Sequence, residues 1–226
     1  MIEFLSLYGE YARDWWPEIS AAIGVTLALT GISYILSIAL GIVLALGRLS
    51  SVRPLRAISR GYIEIVRSVP ALVILFLIYF ALADFGLALD AFTAGAIGLA
   101  LSHGAFMGEV FRGGLEALHK GQREAALAVG LSPNAAFRYI LLPQALRIVL
   151  PPAVNMLIVL LRDSSLCYFI TTPELMLRVR DLTSTYFLPL HLYLLAGAIY
   201  FAIGFPLSLI ARKVERMMGR GRRAES

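Results

Sequence analysis

Apolar residues along this chain come in long uncharged runs separated by short clusters of charge. Residues 19–47 and 182–211 hold no charged side chain, and each exceeds the about 20 residues that a helix needs to cross a hydrocarbon layer about 30 Å thick. Two shorter runs, 68–83 and 91–108, reach that length by drawing in the flanking residues 62–66 and 87–89. A fifth, about 139–161, is interrupted by Arg147 and carries Pro143, Pro151 and Pro152, which remove backbone donors and bend a helix. The pattern predicts an all-α integral membrane protein of five transmembrane helices, at about 19–47, 62–83, 87–108, 139–161 and 182–211. They make one membrane domain over 19–211, between an N-terminal segment 1–18 and a tail 212–226.

Helices in lipid associate through small side chains that let backbones approach. Ser33, Ser37, Gly41 and Ala45 recur every four positions in the first run, and Ala94, Gly98 and Ser102 do so in the third. These are expected packing faces. Ala71 to Phe80 has no small residue between its ends, so it reads as a lipid-facing or bulky partner surface.

Composition supports the membrane reading: 59% of the residues are hydrophobic and 15% charged, against about 25% charged in ordinary soluble chains, with a mean hydropathy of +0.78. The net charge of +5 invites a nucleic-acid reading only if the basic residues form one patch. They fall instead in alternate connections: fifteen lie in 48–67, 109–138 and 212–226, against four in 1–18, 84–90 and 162–181. The positive-inside rule then puts the N-terminus outside and the C-terminus inside, with no nucleic-acid partner. Trp15 and Trp16 fit an interfacial belt before the first span. Asp84 and Asp90 sit in the basic-free outer loop. A start poor in basic residues is unlike a secretory signal, and the single cysteine, Cys167, excludes an intrachain disulfide or a CxxC pair.

Residues 119–143 are too structured for a simple loop. Gln122 to Val129 is rich in helix formers, and Gly130 stands where a C-terminal cap falls. Ser132 and Pro133 then supply an N-cap and a first-turn proline that restart a helix into the fourth span. The short helix either docks into a partner's groove through Ala125 and Ala126, with Glu124 beside them, or rests on headgroups as an interfacial helix.

Glu124-Ala125-Ala126, Gly130 six positions after the Glu, and Ile140, Leu142 and Pro143 resemble the EAA motif of ABC importer membrane subunits. Arg112-Gly113-Gly114, Gly121-Gln122, Pro143-Gln144-Ala145-Leu146-Arg147, Leu150-Pro151-Pro152, Asn155 and Arg162-Asp163-Ser164-Ser165-Leu166 are similar to the polar amino-acid uptake branch, the histidine and glutamine permease family. The likeness extends to Tyr62 to Arg67 and Pro70, and covers roughly residues 20–211. It implies the type I ABC importer permease fold (MetI-like) in a bacterial or archaeal cytoplasmic (inner) membrane. It also implies pairing with a second permease subunit, identical or closely related, and a periplasmic or lipid-anchored substrate-binding protein that delivers an amino acid. The EAA helix seats on an ABC ATPase dimer that binds ATP and Mg; the chain itself binds no cofactor or metal and is not an enzyme. Its lysines, Lys120 and Lys213, follow His119 and Arg212, so neither completes a phosphate-binding loop.

On this resemblance Gly121, Gln122, Glu124, Ala125, Ala126, Gly130, Ile140, Leu142 and Pro143 carry coupling to the ATPase. Asn155 lies 12 residues beyond Pro143, about 18 Å along a helix, where a buried amide contacts substrate or braces the proline-bent span. Asp163, Ser164 and Ser165 face an amino-acid zwitterion or order the turn after the span. Met156 stands where relatives often carry Glu or Gln, which weakens a cationic substrate. His103, inside the third span, reads as a hydrogen-bonded packing residue before a pathway residue. Glu64 with Arg67, and Glu109 with Arg112, are three apart and share a helix face, making them candidate gate ion pairs. The six basic residues of the tail suit membrane lipid headgroups. The alternatives are a permease for an opine or acidic amino acid, or a secondary transporter, which predicts charged residues along a mid-membrane path.

Overall fold

A computed structural model describes residues 2–118 and 120–219. Every regular element among them is helical: α1 (Ile2–Leu49), α2 (Arg53–Ser68), α3 (Ala71–Asp84), α4 (Ala91–Glu116), α5 (Lys120–Ala128), α6 (Pro133–Ile170), α7 (Leu175–Tyr186) and α8 (Pro189–Gly219). Four of these, α1, α4, α6 and α8, are long and apolar enough to cross a membrane, and the number is five if α2 and α3 together make one span. His119 and the last part of the basic tail, with Arg220, Arg222 and Arg223, lie outside the described residues.

Three boundaries differ from the hydropathy pattern, each for a local reason. The segment before the first apolar run is helical and continuous with it, so α1 starts at Ile2 and keeps Pro17 inside. The window 62–83 is two helices: Pro70 is extended (φ −57°, ψ 138°) and caps α3, because proline cannot continue the hydrogen-bonding of α2. The run 182–211 is also divided. Phe187 takes the left-handed region (φ 56°) and closes α7 through its N–H to Thr183 O at 3.0 Å, and Pro189 opens α8.

The chain packs as two compact units. The first comprises, among the described residues, 2–35, 69–100 and 159–206. One of its cores joins Trp15, Ile19, Leu175, Val179, Leu182, Leu192 and Ala196; 175, 179 and 182 lie on one face of α7. Trp15 is 2% exposed, stacked on Tyr11 at 5.5 Å and edge-on to Tyr186 at 5.9 Å. It is therefore a core residue, not part of an interfacial belt, whereas Trp16 is 59% exposed. The second core gathers Leu29, Leu75, Ala94, Ala96, Leu99, Cys167 and Ile170. A methyl group on Gly98 would stand 2.7 Å from Leu75 Cδ2, and one on Gly95 would stand 3.0 Å from Cys167 Sγ. The small residues of α4 thus admit the bulky side of α3, which is a partner surface at Leu75. Asp90 caps α4 by accepting from Thr93 N at 3.0 Å; the Thr93 hydroxyl first, and this backbone bond second, hold its carboxyl below the usual range.

The second unit comprises, among the described residues, 36–68, 101–158 and 207–219. Leu44, Ile63 and Ala105 form its core. A Cβ at Gly41 would meet Met107 Cβ at 2.5 Å, one at Gly104 would meet Leu40 at 2.6 Å, and one at Gly47 would overlap Ser59 Oγ. Between membrane helices no aqueous hydrophobic effect is left to exploit, so close backbone approach of this kind supplies the packing. The Tyr62 hydroxyl donates to Leu101 O at 3.0 Å, fixing α2 on α4. In α6 the turn Phe137–Leu141 widens so that Leu142 N reaches back to Phe137 O. Pro143 explains it: its ring would clash with the carbonyl four residues earlier in a regular turn. The buried edge of α6 here is Ala145, Val149 and Ala153.

Candidate functional site

The coupling segment has the local structure its residues dictate. α5 ends in a left-handed Gly130 (φ 87°), with Gly130 N bonded to Leu127 O at 3.0 Å and Leu131 N to Ala126 O at 3.1 Å. Those two bonds make a Schellman cap. Ser132 then accepts from Ala135 N at 3.3 Å, with Pro133 in the first turn of α6. α5 packs on the beginning of α6, where Ala136 is buried.

Two motif alanines point in different directions. Ala126 is buried against the chain itself, whereas Gly121, Gln122, Glu124 and Ala125 are exposed. The exposed set continues in Leu127, Val129, Phe137 and Tyr139. Ile140 and Leu142 are half-buried and Pro143 is exposed. Gln144 Nε2 reaches Gln122 Oε1 at 3.5 Å, at the limit of a hydrogen bond.

A network of charge joins α1 and α4 in the same unit. Arg112 is bidentate on Glu109, with Nε 3.1 Å from both oxygens and Nη2 2.7 Å from Oε2. Its Nη1 donates to Glu116. Arg48 Nε comes within 3.5 Å of Glu109 Oε1 without hydrogen-bond geometry. The sequence spacing finds the Glu109–Arg112 pair but misses Arg48, 61 positions upstream, because contact between helices has no local signature. Glu64 and Arg67 do not pair with each other. Arg60 Nε donates to Glu64 at 2.6 Å, and the Arg67 guanidinium lies 5.2 Å from the centre of the Phe106 ring, a cation–π contact that draws it away from Glu64.

Asn155 is exposed on the surface of α6, which corrects the expected buried amide. It follows Ala153 by two residues, about 200° around the helix from that buried edge. Met156 is half-buried and His103 is 3% exposed. Asp163 ends the regular part of α6, and Ser164 to Ile170 tightens into a 3₁₀ turn. Ser164 is fully buried and donates to Leu161 O at 2.7 Å, while Ser165 donates to Arg162 O at 2.7 Å. This stretch belongs to the first unit, where it meets a group the sequence reading overlooked. Glu174 is fully buried and caps α7, accepting from Met176 N and Leu177 N, each at 2.9 Å. It also accepts from the Tyr200 hydroxyl at 3.2 Å. Burial pushes its carboxyl up to about 7. The available signal was a carboxylate after Pro173, at a helix start inside an apolar stretch.

Residues 37–220 match the model of the binding-protein-dependent transport system inner membrane component family. The chain belongs to this family. Among curated relatives of this inner membrane component is the L-cystine transport system permease protein TcyB of Bacillus subtilis (strain 168), 34% identical over 92% of the chain and 89% of the relative. The probable amino-acid ABC transporter permease protein YckA of the same strain is 38% identical over 85% of each. A solved amino acid ABC transporter with histidines shares 33% identity and superposes with a TM-score of 0.86, covering 95% of this chain and 98% of that one. A MetNI methionine ABC transporter chain at 21% identity, covering 87% and 96% with a TM-score of 0.65, has the same fold. The expected MetI-like permease fold is therefore the fold of this inner membrane component.

Proposed function

We propose that the chain is the permease subunit of an ATP-driven importer that moves a polar amino acid into the cytoplasm of a bacterium or archaeon. The observation that carries this reading is likeness of 33–38% identity, over nearly the whole chain, to permeases named for amino acids. On this reading α5 seats on a separate ATPase dimer that binds ATP and Mg. Its exposed Glu124 meets a basic group or backbone donor there, and Leu127 and Val129 bury apolar area that is otherwise wet. The N-terminus lies outside, the C-terminus inside, and a second permease subunit completes the pathway. A substrate-binding protein delivers the amino acid, for which Asp163 and Ser165 of the first unit are candidate contacts. An opine is the second reading, supported by the nopaline transport system permease protein NocM of Agrobacterium fabrum (strain C58 / ATCC 33970) at 34% identity over 88% of the chain.

The test is reconstitution with the ATPase and binding protein in liposomes. ATP-dependent uptake of amino acids is expected, and Glu124→Lys should keep ATP hydrolysis while uptake falls at least tenfold. Uptake that persists without the ATPase would overturn the reading in favour of a secondary transporter. Wild-type uptake in Glu124→Lys would remove the coupling role.

A further inference from the structure

The link from α6 to α7 is held on several sides by buried polar bonds. Thr172 Oγ1 donates to Ala91 O at 2.9 Å, and Leu175 N donates to Thr26 Oγ1 of α1 at 3.1 Å. Glu174 gathers the first turn of α7 and the Tyr200 hydroxyl of α8. Beside the Tyr200 oxygen stands the Ser164 hydroxyl, one residue after Asp163.

Proton counting makes this relay depend on one group. With Glu174 ionised, its oxygens accept all three donors, the Tyr200 proton points at the carboxylate, and Ser164 donates to Leu161 O. With Glu174 protonated, its O–H needs an acceptor, and the oxygen it faces is that of Tyr200. The bond then reverses: Glu174 donates to Tyr200, and the released Tyr200 proton turns to Ser164 Oγ, which keeps its bond to Leu161. Protonation thus adds one hydrogen bond between α8 and the 3₁₀ turn, with no proton unaccounted for. Among the described residues, the other titratable groups facing this cluster are the Tyr200 phenol from α8 and the Cys167 thiol from the 3₁₀ turn. Phenols and thiols ordinarily hold their protons at neutrality, so Glu174 is the member that changes charge. Both of its forms are populated there, because burial brings its titration to about 7.

We infer that Glu174 is a positioning residue: through Tyr200 and Ser164 it sets how firmly the stretch beginning at Asp163 is held, and it holds that stretch more firmly when protonated. Its bearing on transport rests on the amino-acid permease reading, in which this stretch lines the substrate path.

Two measurements on the reconstituted complex test it. Hydrogen exchange of residues 164–172, corrected for intrinsic rates, should show about threefold more protection at pH 6 than at pH 8 in the wild type. Glu174→Gln cannot titrate: with its Oε1 kept on Leu177 N, its Nε2 donates to Tyr200 and gives up the bond from Met176 N, so protection should be flat with pH and stay above the wild type's pH 8 level. Tyr200→Phe removes only a hydroxyl and should be low and flat. Uptake of L-glutamine and L-cystine per ATP hydrolysed, at saturating loaded binding protein, should follow the same order, a split that general destabilisation does not produce. Equal protection at pH 6 and 8 in the wild type, or a wild-type profile in Tyr200→Phe, overturns the inference whatever uptake does. The expected exchange pattern in a complex that takes up no amino acid overturns instead the permease reading and the substrate-facing role.

Discussion

Arg112 and Glu109 meet as a two-pronged ion pair one turn apart on α4, and Arg48 of α1 approaches the same carboxylate from 3.5 Å. The Arg112 and Glu109 side chains are 25% and 19% exposed, so water screens them only in part. Glu109→Gln should therefore lower stability by about 1–2 kcal/mol, between the values for surface pairs and for fully buried ones. Melting of the detergent-solubilised protein reads it, and a double-mutant cycle with Arg112→Gln should return a coupling energy on the order of 1 kcal/mol. Additive losses would mean that the pair contributes nothing.

Close approach of α1 and α4 predicts a contrast between two glycines. A methyl at Gly41 would be forced to 2.5 Å from Met107 Cβ, while one at Gly61 would meet nothing within 4 Å. Gly41→Ala should cost about 1–3 kcal/mol through overpacking. Gly61→Ala in α2 should be neutral or stabilise by up to about 1 kcal/mol, since alanine restricts the unfolded chain. Equal effects of the two substitutions in a thermal melt would contradict the close packing.

Gly130 tests the cap of α5. At φ 87° any side chain is strained, least of all asparagine. Gly130→Ala should loosen the last turn of α5, with faster hydrogen exchange at Gly130 N and Leu131 N, and cost about 1 kcal/mol. Gly130→Asn should recover part of that loss.

Stability should also depend on pH through Glu174. Its carboxyl rises from an ordinary 4.5 to about 7 in the folded protein, so the folded state binds the proton more tightly. The resulting stabilisation is complete below about pH 4.5 and is lost as pH climbs through 7. Between pH 5 and 8 the wild type should lose on the order of 1–3 kcal/mol relative to Glu174→Gln. Parallel melting curves for the two proteins across that range would refute it.

Helical class, the number of candidate spans and the cap structure around Gly130 and Ser132 were legible in the sequence, because hydropathy runs and capping residues are local signals. The packing stripes of Gly41 and Gly98 were legible for the same reason. Interruptions were harder to read: a window such as 62–83 looks continuous by hydropathy, although Pro70 divides it. Asn155 is exposed on α6 rather than buried, because its position along the helix fixes depth but not which side it faces. Arg48 and Glu174 were overlooked because their partners, Glu109 and Tyr200, are brought to them by tertiary packing.

The two adjacent tryptophans amount to a built-in optical pair. Trp15 is enclosed by tyrosine rings while Trp16 stands open, and the chain has no other indole. Replacing Trp16 by phenylalanine would leave a single emitter whose colour and quenching report whether the helix start around Trp15 stays closed on α7, without any label added to the protein.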